Sequence, residues 1–576
     1  MRRPINIFLL LLTGLGLLLS RPAAAQEEDP NAIPDWRFGV IESYEAPGHA
    51  RVLGAAWTRV QFQWADVQPE EPGSWVETVP DEDIVGQVEA GRLVVGLLIG
   101  IPEWARDEAD LPAGLYLAPD DPDNLWAGFV REAVSRYAGT IDHWVIWNEP
   151  DIWDPDALGH TWDGSEADFA RLLKVAYLVA KETNPDAVIH LPSFTYFWDA
   201  NFDREQYLGR LLDEILADPE AAANNYYFDV MSAHLYFNPD LIFQIMTEFQ
   251  AIREDHGIPH KPIWLVETNA PPIDDPTWPV ANWTLSVTLD EQASFMPQAV
   301  AVALAAGAER IAIFKLKDTD SDRLANPEPF GLVRFDGTRR PAYWSYRTAM
   351  QYMAGVTSAE MVRWDEIGQI QLEQDEITTT VLFSRLPSEQ VAEVPATAPT
   401  AFLTDQIAGR RIVIEAEDGV FRVELPAAFC TQPIGDYCMI GSAAYYLTQD
   451  KQGGPPPGLP VGSPIQPAGT ATATPPPTQA STATPSPPTA SPTNTAVATS
   501  TATEASAIET GPTASSTAGA TQLAAVEPTA TASATATQRP TATPFVATGP
   551  TESRAGFGLD ADLTVWLAAA VGFVST

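Results

Sequence analysis

Between Trp36 and Met353 the chain alternates between two hydrophobic rhythms. Short apolar runs, rich in β-branched and aromatic residues, read as buried strands. They are Arg37–Glu42, Thr58–Trp64, Leu93–Gly100, His143–Trp147, Ala187–Leu191, Phe228–His234, Pro262–Glu267 and Arg310–Leu316. The intervening stretches space their apolar residues as a helix does. In Ser165–Glu182, Phe169, Leu172, Leu173, Ala176 and Val179 or Ala180 fall on one face, and Ser165 with Asp168 supplies an N-terminal cap. Eight such repeats over roughly 320 residues predict an α/β fold, a parallel sheet closed into a (β/α)8 barrel and jacketed by helices. An open dinucleotide-binding sheet is excluded, because Gly96, Gly100 and their neighbours lack the G-x-G-x-x-G spacing it needs.

Past the barrel (36–353) the rhythm changes. Residues 354–449 hold β-branched, partly alternating runs, among them Glu376–Ser384, Arg411–Glu415 and Val420–Leu425, which predict a small β-domain beside the barrel. Residues 450–553 are Pro, Thr, Ala and Ser with almost no apolar bulk, so they cannot offset ordering entropy and read as a disordered, extended stalk with hydroxyls open to O-glycosylation. In the tail (554–576) the apolar run Leu563–Val574 is shorter than the roughly 20 residues a bilayer requires; it reads as a truncated anchor or a frayed end. At the other end, Arg2 and Arg3 precede the apolar run Ile5–Leu19 and the small residues Ala23–Ala25. Residues 1–25 therefore read as a secretory signal peptide, with 26–35 a spacer. Export makes Cys430 and Cys438 a local disulfide rather than a metal or redox site. Asn282-Trp283-Thr284 fits an N-glycosylation acceptor.

Charge narrows the partners. A formal net charge of −43 repels nucleic acid and anionic membranes and favours a neutral or cationic ligand. The 17 tryptophans suit either a large core or surfaces that stack on flat apolar ligand faces such as sugar rings.

The candidate chemistry sits at two strand ends. The run His143–Trp147 leads into Asn148-Glu149 and stops at Pro150, which cannot continue a ladder. Pro262–Val266 leads likewise into Glu267. In a barrel the carboxyl ends of the strands share one face, so strands four and seven can aim these carboxylates at each other across the mouth. Such a pair is what glycosidic cleavage needs: one group protonates the leaving oxygen while the other attacks or activates water. Two tempting metal signals fail. Asp318–Asp322 begins like a calcium loop but has Arg323 where glycine is required, and Gly257 and Pro259 break any helix aligning His256 with His260. No metal or cofactor is expected.

Several segments together resemble the clan A glycoside hydrolases. Trp147-Asn148-Glu149-Pro150 and Trp264-Leu265-Val266-Glu267-Thr268 are similar to that clan's fourth- and seventh-strand signatures. Gly54–Arg59 with Trp64–Pro69 resembles its second strand, Ser232–Tyr236 its sixth, and Phe330–Leu332 with Arg340–Tyr343 the stretch after its eighth. The resemblance implies Glu149 as general acid/base, Glu267 as nucleophile, and retention through a covalent glycosyl-enzyme. It further implies that Asn148 bonds the hydroxyl beside the reacting carbon, Arg59 holds Glu267 ionised, and His234 and Tyr236 line the cleft. Trp104 and Trp153 are candidate stacking platforms, Trp198 and Trp344 weaker ones. Ile313-Phe314-Lys315-Leu316 departs from the clan in lacking the tryptophan usual at strand eight, which leaves the monosaccharide open. The expected substrate is an oligosaccharide, polysaccharide or β-glycoside, met outside the cell, with stalk and tail holding the barrel near a surface. A binding protein without turnover, or a transglycosylase using the same residues, are the competing readings.

Overall fold

The computed structural model describes residues 35–454, apart from 158, 282, 284, 326 and 327. The leader, the stalk, the tail and the acceptor residues Asn282 and Thr284 lie outside the described residues. Eight parallel strands close into a barrel in simple sequential order. They are β1 (Phe38–Val40), β2 (Trp57–Gln63), β3 (Leu93–Ile99), β4 (His143–Ile146), β5 (Val188–Phe194), β6 (Val230–His234), β7 (Ile263–Thr268) and β8 (Arg310–Ile313). All eight expected strands are present, and the capping box at Ser165 and Asp168 opens the helix Glu166–Thr183. β8 stops at Ile313, three residues short of the expected Leu316, and β6 starts at Val230 rather than Phe228; at β1 and β5 the difference in length has a local physical reason. β1 ends early because Glu42 turns left-handed at φ 57°. β5 runs past Pro192 because the ladder shifts register between His190 and Ser193, and a bulge tolerates a residue with no N–H to donate.

The barrel floor is aromatic. Gly96 on β3 has no side chain because the Trp144 ring fills the space where a Cβ would sit, 2.4 Å from its ring carbon. Trp264 lies at the centre, 5.4 Å from Trp57, 5.3 Å from His143 and 4.6 Å from His190 by ring centroids. His143 Nδ1 and His190 Nε2 are 3.0 Å apart, so one ring donates to the other.

A bulge on β7 decides which way Glu267 points. Leu265 pairs with Ala233 but Glu267 pairs with His234, so Val266 is the extra residue. Side chains alternate faces along a strand. Without that insertion Trp264 and Glu267, three apart, would face opposite ways; with it both point inward.

The β-domain is an antiparallel six-stranded sheet in which Tyr445–Asp450 lies between Ile377–Ser384 and Thr400–Asp405. One face joins the barrel core through Ile370, Leu372, Val381, Phe383 and Tyr446, while the other packs its own core around Leu382, Phe421 and Leu447. Arg385 fastens the two, donating at 2.6 Å to Asp240 at the start of the helix Pro239–Asp255 and stacking over Trp364 and Tyr437. Cys430 and Cys438 form the disulfide. Among the described residues no helix is long and apolar enough to cross a membrane.

Burial, then the Arg310 charge, pulls His143 down to about 4, and burial pulls His190 well below its ordinary value. The native state thus binds these protons less readily than the unfolded chain, where histidine titrates near 6.5. The pair's contribution is complete above about 6.5 and is lost as pH falls from there toward 4. The melting temperature should therefore drop over that interval. A His143→Gln/His190→Asn variant should start lower at neutral pH yet fall less steeply, as read by thermal unfolding at a series of pH values.

Candidate active site

At the carboxyl ends of the strands, four of them deliver one connected group of buried side chains. β2 supplies Arg59, the turn after β4 Asn148 and Glu149, β6 His234 with Tyr236 just beyond, and β7 Glu267. Arg59, Asn148, Glu149, His234 and Glu267 are each no more than 4% exposed. One oxygen of each glutamate and a ring nitrogen of His234 all lie within 4.8 Å of one another.

Glu149 sits in a turn that the sequence alone would not favour. Trp147 and Glu149 are both left-handed, at φ 75° and 47°. Each such residue costs on the order of 1–3 kcal/mol and persists only where its surroundings over-determine it. Here they do. The Trp147 indole donates to the carbonyl and hydroxyl of Thr161 at 3.2 Å, and that hydroxyl donates to the Asn148 carbonyl at 2.6 Å. The Glu149 amide donates to the Ser193 carbonyl at 3.1 Å. Asp151 accepts from the Thr195 amide, the Thr195 hydroxyl and the Tyr196 amide through one oxygen, at 2.8–2.9 Å, which ties the turn to the end of β5.

The two glutamates have opposite environments. Burial alone would push Glu267 up, but the Arg59 guanidinium, bonded directly to one of its oxygens, and the Tyr236 hydroxyl on the other bring it below the usual carboxylate range. Glu149 has no cation of its own. Burial, then the Glu267 charge, then Asp151, push it well above that range. Desolvation holds His234 down to about 3, so its ring is neutral. Arg59 faces Nε2 at 3.3 Å and can only donate, so Nε2 accepts and the ring proton is on Nδ1. Nδ1 lies 2.7 Å from Glu149 Oε1 and donates to it, leaving the acid proton on Oε2. The Asn148 side-chain nitrogen is buried and makes no hydrogen bond within the protein.

Glu149, His234 and Glu267 are also a geometric set for a metal ion. The Arg59 guanidinium already contacts both Glu267 and His234 and would repel a cation placed among them. The donor set fits proton chemistry better than a metal.

The aromatic candidates divide by position. Trp153 is half-buried on the loop after β4, edge-on to Trp198 at 5.9 Å and to the exposed Phe202 at 5.0 Å, with Arg204 stacked over it. Trp104 lies after β3, edge-on to Trp64 at 5.9 Å, its indole donating to the Gln68 carbonyl at 2.8 Å. Trp344 is on the outer helix Pro341–Tyr352. At strand eight Phe314 meets Phe330 at 5.6 Å and Phe330 meets Tyr236 at 5.8 Å, an aromatic chain that backs the hydroxyl on Glu267. Sequence reasoning passed over Thr161, Ser193 and Asp151. Only Asp151 left a signal, a second acid two places beyond Glu149.

No family model matches the chain, and no curated protein matches it. Among solved structures it is similar to a family 39 glycoside hydrolase from Bacteroides cellulosilyticus WH2, at 15% identity and TM-score 0.53, covering 72% of this chain and 81% of that one. The likeness is one of fold, a closed barrel of eight parallel strands jacketed by helices. A glucosidase from Croceicoccus marinus (12% identity, 73% and 97% covered, TM-score 0.49) and a β-xylosidase from Caulobacter crescentus (14%, 73% and 97%, 0.47) align less well.

If the Glu267 charge helps hold the proton on Glu149, neutralising it should release that proton more easily. In Glu267→Gln the Glu149 carboxyl should titrate lower than in the wild type, as followed by carbon NMR of labelled glutamate. Arg59→Gln should move Glu267 upward in the same experiment.

Proposed function

We propose that this chain is an exported retaining glycoside hydrolase acting on β-linked sugars. The observation that carries the reading is the asymmetric pair: two buried glutamates with oxygens within 4.8 Å, one held ionised by Arg59 and the other driven toward its protonated form. Retaining enzymes bring their carboxyl groups to about 5–5.5 Å, whereas inverting ones leave about 6.5–9.5 Å for a water molecule. The spacing here favours retention.

In the first step Glu267 attacks the anomeric carbon while Glu149 gives its proton to the departing oxygen. The bond to the leaving group breaks, and an ester to Glu267 forms. With Glu267 now neutralised as an ester, Glu149 loses a reason to hold a proton and takes one from water. That water attacks the same carbon from the side the leaving group left, and the ester breaks. The sugar departs with its original configuration and both glutamates return to their starting states. The unpartnered Asn148 amide is suited to donate to the hydroxyl next to the reacting carbon, a bond that strengthens as charge develops. A protein that only bound sugars would have no use for two carboxylates poised in opposite protonation states. Export is read from residues 1–25, and the Pro/Thr-rich stretch would hold the barrel clear of a surface.

Either Glu149→Gln or Glu267→Gln should lower kcat on aryl β-glycosides by at least about a thousandfold with the fold intact by circular dichroism. Azide should restore turnover to Glu267→Ala and yield the inverted glycosyl azide, because it attacks from the vacated face. Wild-type hydrolysis followed by proton NMR should show the β anomer first. Unimpaired hydrolysis by Glu267→Gln would overturn the mechanism.

A further inference from the structure

Just past β6 the chain makes a turn that its own sequence does not favour. Phe237 is buried and left-handed at φ 63°. A bulky side chain adopts that conformation only where its surroundings over-determine it. The turn carries Tyr236, whose hydroxyl donates to Glu267. β7 and the residue after it hold one side of the turn. The Leu235 amide donates to the Glu267 carbonyl at 3.1 Å, and the Phe237 amide to the Asn269 carbonyl at 2.8 Å.

The far end of the turn is held by the β-domain. The Asn238 amide donates to the Tyr236 carbonyl at 2.7 Å, and the Asn238 side chain accepts from the Asp240 amide at 2.9 Å. Asp240 in turn accepts from two residues of the β-domain, one oxygen from the Trp364 indole at 2.9 Å and the other from Arg385 at 2.6 Å. A run of hydrogen bonds thus leads from Glu267 through Tyr236, Asn238 and Asp240 into the second domain. Arg385 has little freedom to give way. It is buried, stacks over the Trp364 and Tyr437 rings at 4.5 and 4.3 Å, and donates to the Asp365 carbonyl at 2.9 Å. Its own carbonyl accepts from the amide of the disulfide-bonded Cys438 at 2.9 Å. Helix capping does not account for Asp240, because Asn238 already caps the helix Pro239–Asp255.

We propose that Asp240 and Arg385 are positioning residues, through which the β-domain fixes the turn that sets the Tyr236 hydroxyl on Glu267. The β-domain is then part of the support of the site rather than an appended module. The kinetic consequence rests on the glycosidase reading above. Arg59, His234, Tyr236 and Glu149 are the ionisable groups that face Glu267, and of these Tyr236 alone lies in the turn. The bond from its hydroxyl favours the ionised form of Glu267, so that form reports on whether the turn is in place.

The test follows the acid limb of kcat/KM on 4-nitrophenyl β-xyloside and β-glucoside in the full-length protein, alongside carbon NMR titration of Glu267. Tyr236→Phe takes a bond from the charged form, so Glu267 should titrate higher and the acid limb should move up by about one pH unit. Asp240→Asn, which breaks the ion pair, should move it the same way by a smaller amount. Added to Tyr236→Phe, Asp240→Asn should give no further shift, because the hydroxyl through which it acts is gone. Arg385→Lys keeps a cation facing Asp240 and should leave the limb nearer the wild type than Arg385→Met does. Should Asp240→Asn not fold, Trp364→Phe takes its place with the same expectations, since it removes only the indole donor. An acid limb that stays in place while the melting temperature falls overturns the positioning role, and so does a full further shift in the double variant. Either result leaves the glycosidase reading standing. If the wild type hydrolyses neither glycoside, that reading falls, and the NMR titration of Glu267 in the same variants decides the positioning role by itself.

Discussion

One guanidinium facing two buried carboxylates is the constraint around which the barrel mouth is organised. Arg59 can neutralise only one of them, and it contacts Glu267 directly while reaching Glu149 only through the neutral ring of His234. Two uncompensated charges at this spacing in a dry site would be costly. The lower-energy solution is one carboxylate and one carboxylic acid, and geometry selects which is which. Burial therefore does not oppose the chemistry here. It creates the difference in proton affinity between two residues of the same type.

Holding that arrangement costs the backbone something. Two departures into left-handed conformation only two residues apart, at Trp147 and Glu149, are unfavourable in any free peptide. They survive because bonds from Thr161, Ser193, Thr195 and Tyr196, on either side of the turn, leave it no other shape. Asp151 serves two ends at once. One of its oxygens locks the turn, and its negative charge adds to the forces keeping the Glu149 proton in place. Burial lifts Asp151 itself to about 6, so near neutrality its own charge, and with it that push on Glu149, varies with pH.

The barrel was legible because a strand buried on both faces must be apolar throughout, and runs such as Leu93–Ile99 have no other plausible use. The acids gathered at the barrel mouth were legible because acids at the ends of such runs are expensive unless they have work to do. What sequence could not supply was direction. Strict alternation along β7 puts Trp264 and Glu267 on opposite faces, and only the inserted residue at Val266 reconciles them. A bulge leaves no compositional mark. The same holds for Thr161 and Ser193, whose roles are carried largely by backbone carbonyls and hydroxyls that any sequence contains.

The strands that carry the proton chemistry are not those that shape its surroundings. Arg59, Glu149, His234 and Glu267 come from strands two, four, six and seven, and their contacts are almost wholly with one another. The Phe314–Phe330 pair, from the segment after strand eight, meets this group through the Tyr236 ring, and Lys315 beside it is occupied by Glu42 and Asp322. Phe314 can therefore shape the surroundings of the group without altering which glutamate holds the proton. Loops after strands three and five, bearing Trp104 and Trp198, are similarly free to vary. A buried group closed on itself and a rim built from other strands explain how the fold can persist at 15% identity to a solved barrel.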